Sequence, residues 1–208
     1  MTDGSTDPAF PDWFFTRADD ADDALFYGPQ RLVTHIDDAA IAAVGELYDE
    51  LAIAGSVLDL MSSWISHFRT PPADLTVLGM NSAELEANPE ATSRVVHDLN
   101  RDPALPFEDD TFDHVVCCVS VDYLTSPVEV FRDVARVLRP TGLFVHTLSN
   151  RCFPTKAIRG WLMLPESERP ALVAAYFAMA GGYGPATLQQ RVDGSVSDPL
   201  YAVFAPAT

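Results

Sequence analysis

Apolar positions along the chain recur with two periods, 3.6 and continuous short runs. Ile41, Val44, Tyr48 and Leu51 follow helical spacing and predict a helix over 38–51, with Asp37 or Asp38 placed to cap it and Gly55 to end it. The runs 56–61 and 75–80 have the length and composition of strands buried on both faces. Asn81 and Ser82 open a short helix to about 88, stopped before Pro89, and 94–97 reads as a third strand. A polar loop over 98–111 leads to a fourth strand at 114–120. Ser126 at the N-cap, Pro127 at the first position and Glu129 completing a capping box predict the next helix. Its buried stripe is Phe131, Val134, Ala135 and Leu138. Arg136 and Arg139 suit the negative end of its dipole, and Pro140 and Gly142 stop it. A fifth strand covers 143–148. Leu172, Val173, Tyr176, Phe177 and Ala180 mark a helix ending at Gly181-Gly182, and 199–204 reads as a final strand. Strands alternating with helices predict a mostly parallel sheet with helices on both faces. In such sheets ligands bind beyond the carboxyl ends of the strands, so the chemistry is sought there.

Ahead of this region the pattern changes. Phe10, Trp13, Phe14 and Phe15 place four aromatics within six residues, which predicts docking onto the domain or over a pocket. Asp19, Asp20, Asp22 and Asp23 read as a solvated, charged loop. The expected organisation is a segment 1–36 covering the pocket and one domain over 37–208.

Composition narrows the function. The 208 residues carry 30 acidic against 13 basic side chains, a net charge of -17. No cluster of arginine or lysine offsets it, and Lys156 is the sole lysine. Such a surface repels phosphates, so no nucleic-acid partner is expected. No apolar run reaches membrane-spanning length and the start, Met1-Thr2-Asp3-Gly4, lacks a basic region, so the expectation is a cytoplasmic protein without a membrane partner. Cys117, Cys118 and Cys152 have no zinc-ligand spacing, so no metal site and no disulfide framework are expected. Nothing in the sequence speaks to oligomeric state.

Several polar residues follow the strand ends. Asp59 interrupts the first apolar strand. A buried carboxylate needs partners, either a cofactor's amine and the turn beside it or backbone N–H groups that it caps. After it come Met61, Ser62, Ser63 and Trp64, where a nucleotide-binding turn usually carries glycines. The two serines offer a close turn and hydroxyls, and a plain connecting turn is the competing reading. Asn81 follows the second strand and is placed either for a ribose hydroxyl or for capping towards Glu84. Asp98 and the Leu99 backbone are placed for an adenine, or for an ordinary loop. Ser120 and Asp122 follow the fourth strand, Ser120 as a further cofactor-binding candidate. Asp122 is a candidate to hold or deprotonate an acceptor, with His35 and Tyr27 as further candidates from the covering segment. Asn150, Arg151 and Cys152 follow the fifth strand.

Asp98-Leu99-Asn100, then Leu105-Pro106-Phe107-Glu108-Asp109-Asp110-Thr111-Phe112-Asp113, resembles class I S-adenosylmethionine (SAM)-dependent methyltransferases. So does Val134-Ala135-Arg136-Val137-Leu138-Arg139-Pro140-Thr141-Gly142-Leu143, and Val57-Leu58-Asp59-Leu60 stands at the first motif in the right order. The resemblance implies a Rossmann-like sheet of seven strands with the last antiparallel, SAM as cofactor, and methyl transfer to a small-molecule acceptor. Two departures fall at the cofactor: Met61-Ser62-Ser63-Trp64 replaces the usual Gly-x-Gly, and Asn81 replaces the usual acid. They leave an alternative, a catalytically inactive methyltransferase-like binding or regulatory module. An NAD-dependent oxidoreductase is disfavoured, because no Gly-x-Gly-x-x-Gly follows a strand.

Overall fold

A computed structural model describes residues 10–208. The acidic start at Met1–Gly4 and the opening part of the 1–36 segment lie outside the described residues.

Seven strands form one sheet in the order β3-β2-β1-β4-β5-β7-β6. Strand β1 (Ser56–Leu60) lies at the centre, parallel to β2 (Asp74–Gly79) and β4 (Phe112–Cys118). Strand β3 (Ser93–Val96) extends the parallel part outward from β2, and β5 (Leu138–Leu148) extends it from β4. Strand β7 (Leu200–Pro206) runs antiparallel between β5 and the edge strand β6 (Thr187–Val192). The seven-stranded, mostly parallel sheet with an antiparallel last strand is therefore present.

Each face of the sheet has its own core. On one face, α4 (Pro127–Val137) and α6 (Arg169–Ala180) pack Val130, Phe131, Val134, Val173 and Phe177 against Leu58, Leu60, Val115 and Phe144. On the other, α2 (Asp38–Glu50) packs Val44, Leu47 and Tyr48 against Val57, Val77 and Val145. Asp37 caps α2 by accepting the Ala40 N–H, and exchanges backbone N–H bonds with Asp198 before β7. That reciprocal pair joins the start of α2 to the hairpin of β6 and β7. Short helices α1 (Asp23–Tyr27), α3 (Ser82–Ala87) and α5 (Arg159–Met163) complete the regular structure.

Three expectations need correction, and one connection departs from the regular alternation of strand and helix. The crossover 61–73 between β1 and β2 contains no helix. Its serines bond outward instead: Ser62 to Asp59, Ser63 to Glu84, and Ser66 to Asn88, while Pro71 and Pro72 forbid a last helical turn. Ser126 makes no side-chain capping bond to α4, so the capping box does not form. Helix α4 stops at Val137, ahead of Pro140, because Leu138 pairs with Phe112 and begins β5. Arg139 then leaves the helix dipole and pairs with Asp113 at 2.7 Å, and Gly142 is required because a Cβ there would meet the Asp113 carbonyl.

The third correction concerns Asp23 at the end of the aspartate run, in which Asp20 and Asp22 are exposed as expected. Asp23 is not solvated but 4% exposed, clamped by Arg17 at 2.8 Å and by Lys156 at 2.9 Å. The run stays in place because the aromatics before it are anchored. Phe14 is buried against the face of Gly160, whose N–H donates to the Phe14 carbonyl.

Candidate functional site

A cavity of about 380 Å³ opens at the carboxyl ends of β1, β2, β3 and β4. That size suits a drug-sized ligand. It gathers Tyr27, His35, Asp59, Met61, Ser62, Ser63, Trp64, Asn81, Asp98, Leu99 and Ser120, together with Arg151 and Cys152. Asp122 and Asn150 do not line it.

The first turn is built without glycine. Met61 holds φ at +58°, in the left-handed region that glycine usually fills. The Ser62 N–H donates to the Leu78 carbonyl across to β2, which fixes the turn. Asp59 is 3% exposed and accepts the Ser62 hydroxyl at 2.6 Å. Burial raises its carboxyl to about 7, against the opposing pull of Ser62 and Ser66 hydroxyls. Asp59 thus orders the turn. Trp64 lies along the wall with its indole N–H on the Val33 carbonyl, which binds the covering segment to the turn. Because only the conformation at 61 demands a glycine-like residue, Met61→Gly is expected to leave stability within about 1 kcal/mol. Met61→Val is expected to cost about 2 kcal/mol, a β-branched side chain being strained at positive φ. Urea midpoints of the two variants check this; equal midpoints would remove the strained turn from the account.

Asn81 is fully engaged. Its side-chain oxygen accepts the Ala83 and Glu84 N–H groups and caps α3, while its amide donates to the Tyr27 and Gly28 carbonyls at 2.9 Å. All four hydrogen-bonding positions are used, so the capping alternative describes this residue and no donor remains for a ribose. The acid that sequence reasoning passed over is Glu84. It reaches the same wall from α3, accepting the Ser63 hydroxyl at 2.7 Å and the Arg31 N–H at 2.6 Å. The signal was available, since an acid three residues after a cap belongs to the first helical turn.

After β3, one oxygen of Asp98 accepts the Asn100 and Arg101 N–H groups, closing the loop. Its second oxygen has no partner among the described residues. Asn100 then ties this loop to the covering segment, donating to both Asp23 and the Tyr123 carbonyl. Ser120 spends its hydroxyl on the Cys118 carbonyl.

The expected acceptor-side groups divide. Tyr27 lines the cavity, and its buried Oη has no hydrogen-bond partner. Burial, then Asp23 and Asp122, push its phenol well above the ordinary value, so it acts as a donor, not a base. His35 lies against Phe153, and burial lowers its imidazole, which keeps it neutral near pH 7. Asp122 is 3% exposed, away from the wall. In the turn Val121–Tyr123 its backbone carbonyl accepts the Ile158 N–H just ahead of α5, and one carboxylate oxygen is buried without a partner. Burial raises it to about 8. A group so placed does not touch an acceptor in the cavity. Among the described residues no cluster of histidine, cysteine or acid side chains is arranged to hold a metal ion. No helix among them is long and apolar enough to cross a membrane.

Comparison with known proteins agrees with this architecture. Residues 61–146 match the family described as Methyltransferase domain. A search of curated proteins finds no significant match. Among solved structures, an S-adenosylmethionine dependent methyltransferase from Mesorhizobium loti is similar, at 15% identity and TM-score 0.54, with 79% of this chain and 98% of that one covered. A SAM dependent methyltransferase from Aquifex aeolicus is similar at 14% identity and TM-score 0.56, covering 83% and 95%. The [4+2]-cyclase SpnF is similar at 13% identity and TM-score 0.57, covering 88% and 90%. Identities this low speak for the fold. The domain match over 61–146, the strand order and the cavity at the strand ends together give this chain a Rossmann-like methyltransferase fold.

Proposed function

We propose that the chain is a SAM-dependent methyltransferase acting on a small-molecule acceptor. The observation that carries this reading is the cavity itself. It joins the Asp98–Leu99 loop, whose aspartate keeps one oxygen without a partner among the described residues, and the Asp59-ordered turn in one space. An acceptor oxygen without a protein partner beside a ligand-sized cavity fits a polar ligand that donates to it.

In this reading the free oxygen of Asp98 accepts from the adenine's exocyclic amine, and the Leu99 backbone faces a ring nitrogen. Glu84 and Ser63 take the place of Asn81 beside the ribose, and Met61 and Trp64 flank the turn. When bound, SAM supplies an already activated methyl group. The protein's task is then to align the acceptor and exclude water, and no strong base is required. The net charge of -17 supports a small molecule over a nucleic acid. A cytoplasmic setting without a membrane partner belongs to the same proposal.

Calorimetric titration with SAM and with its demethylated product, S-adenosylhomocysteine, tests the reading. Binding in the micromolar range is expected, and Asp98→Ala should weaken it about tenfold by removing a charge-assisted bond. Absence of binding at millimolar ligand would overturn the enzyme reading and leave the inactive-module alternative. Because SpnF shows that a cyclase is built on this fold, binding without methyl transfer would redirect the reading to other chemistry.

A further inference from the structure

We propose that the acceptor side of the cavity takes a planar acceptor bearing a carboxylate, held by Arg31; this rests on the methyl-transfer reading above. Two arginines line the cavity, Arg31 and Arg151. Arg151 is largely exposed and pairs with Asp198 at 3.0 Å. Arg31 has no carboxylate partner among the described residues, in a chain with 30 acidic side chains. The nearest acids are committed elsewhere. Glu84 holds the Arg31 backbone N–H and the Ser63 hydroxyl, and Asp23 holds Arg17 and Lys156. The Arg31 guanidinium donates only to the Pro29 carbonyl at 3.2 Å and the Phe26 carbonyl at 2.9 Å. Two of its five N–H groups are thus used, and the remainder match the fork of a carboxylate.

The surroundings of that cation are flat and aromatic. The guanidinium carbon stands 4.7 Å from the centre of the Phe26 ring and 5.7 Å from that of Phe153. Phe153 packs in turn on His35 at 5.3 Å and Tyr123 at 5.9 Å, and Tyr123 meets Tyr27 at 6.4 Å. Tyr123 follows β4 and Phe153 follows β5, whereas Asp98 and Leu99 follow β3, and Asn100 joins the two by donating to the Tyr123 carbonyl. Rings favour a planar guest. A cationic acceptor is disfavoured, because Arg31 already occupies the faces of Phe26 and Phe153. The acidity of the whole chain does not forbid an anion here, since exposed charges are screened beyond roughly 8 Å at physiological salt.

Calorimetry with benzoate, benzamide and benzylamine, each in the presence and absence of S-adenosylhomocysteine, tests the assignment. Benzoate is expected to bind about tenfold or more tightly than benzamide. Arg31→Gln should weaken benzoate about ten- to a hundredfold and leave benzamide unchanged, whereas Arg31→Lys should keep part of the preference. A purely structural arginine would weaken both probes together. Equal or better binding of benzamide or benzylamine, or no benzoate binding at roughly 10 mM, overturns the proposal. So does a loss in Arg31→Gln of affinity for S-adenosylhomocysteine but not for methylthioadenosine, since the arginine would then read the cofactor's own carboxylate. A benzoate preference that persists while S-adenosylhomocysteine fails to bind would sink the methyl-transfer reading and spare this one.

Discussion

Replacing Lys156 with Met is expected to lower the melting temperature by about 10 °C. The ammonium group is fully buried and meets Asp23 at 2.9 Å, Asp19 at 3.2 Å and the Ala21 carbonyl at 2.9 Å. Asp23 is itself buried and also holds Arg17 and Asn100. Burial pushes the Asp23 carboxyl up, but Arg17, Asn100 and Lys156 outweigh it and hold the group below the ordinary value. Removing one partner from such a network leaves desolvated charge behind, which costs about 3–5 kcal/mol. At about 2–4 °C per kcal/mol for a chain of this size, the loss falls near 10 °C. Arg132→Met, which removes an exposed cation, should shift melting by no more than about 2 °C. Equal shifts for the two variants would mean that the buried lysine carries no special load. The network also joins residues 17–23 to the Asn100 loop beside the cavity, so Lys156→Met should weaken ligand binding as well.

The second large effect depends on pH. Asp122 and Asp59 have carboxyls raised to about 8 and about 7, so the folded chain binds protons there that the unfolded chain has released. Their contribution therefore falls as pH rises from about 4 to those values. His146 and His67 act in the opposite sense. Burial lowers them to about 3 and about 4, so stability rises with pH up to the unfolded value near 6.5. The two effects oppose each other in mild acid. Between pH 6.5 and 8 only the acids of this set remain, and stability declines. Asp122→Asn removes the larger part of that decline. Over this window one full proton is worth about 2 kcal/mol, so the variant should gain about 4–8 °C relative to the parent chain. Thermal melts at pH 6.5 and 8.5 check it, and a difference between the two proteins that does not change with pH would reject a raised carboxyl at Asp122.

These two predictions show where sequence reasoning reached and where it stopped. The helices at 38 and 127, the five parallel strands and the position of the cavity follow from period, caps and strand ends, which are local properties. Asp98, Leu99 and the Asp59 turn were legible because they sit directly after strands. The edge strand β6 was not legible, since Thr187–Val192 is half polar and pairs along one edge alone, with β7. Arg31 and Glu84 were missed because each acquires meaning from residues about fifty positions away.

The strand of apolar residues interrupted by Asp59 was determined by the sequence alone: a continuous apolar run buried on both faces places its one carboxylate where water is excluded. What that carboxylate does was decided only by tertiary structure. The same holds for Asp23, which composition assigns to solvent with its neighbours and the fold assigns to a buried clamp, while Asp20 and Asp22 stay exposed. Local pattern sets which residues leave water, because burial scales with apolar area along each element. It cannot set which charges meet, because the partners of Asp23, Asn81 and Arg31 arrive only when distant segments close over one cavity.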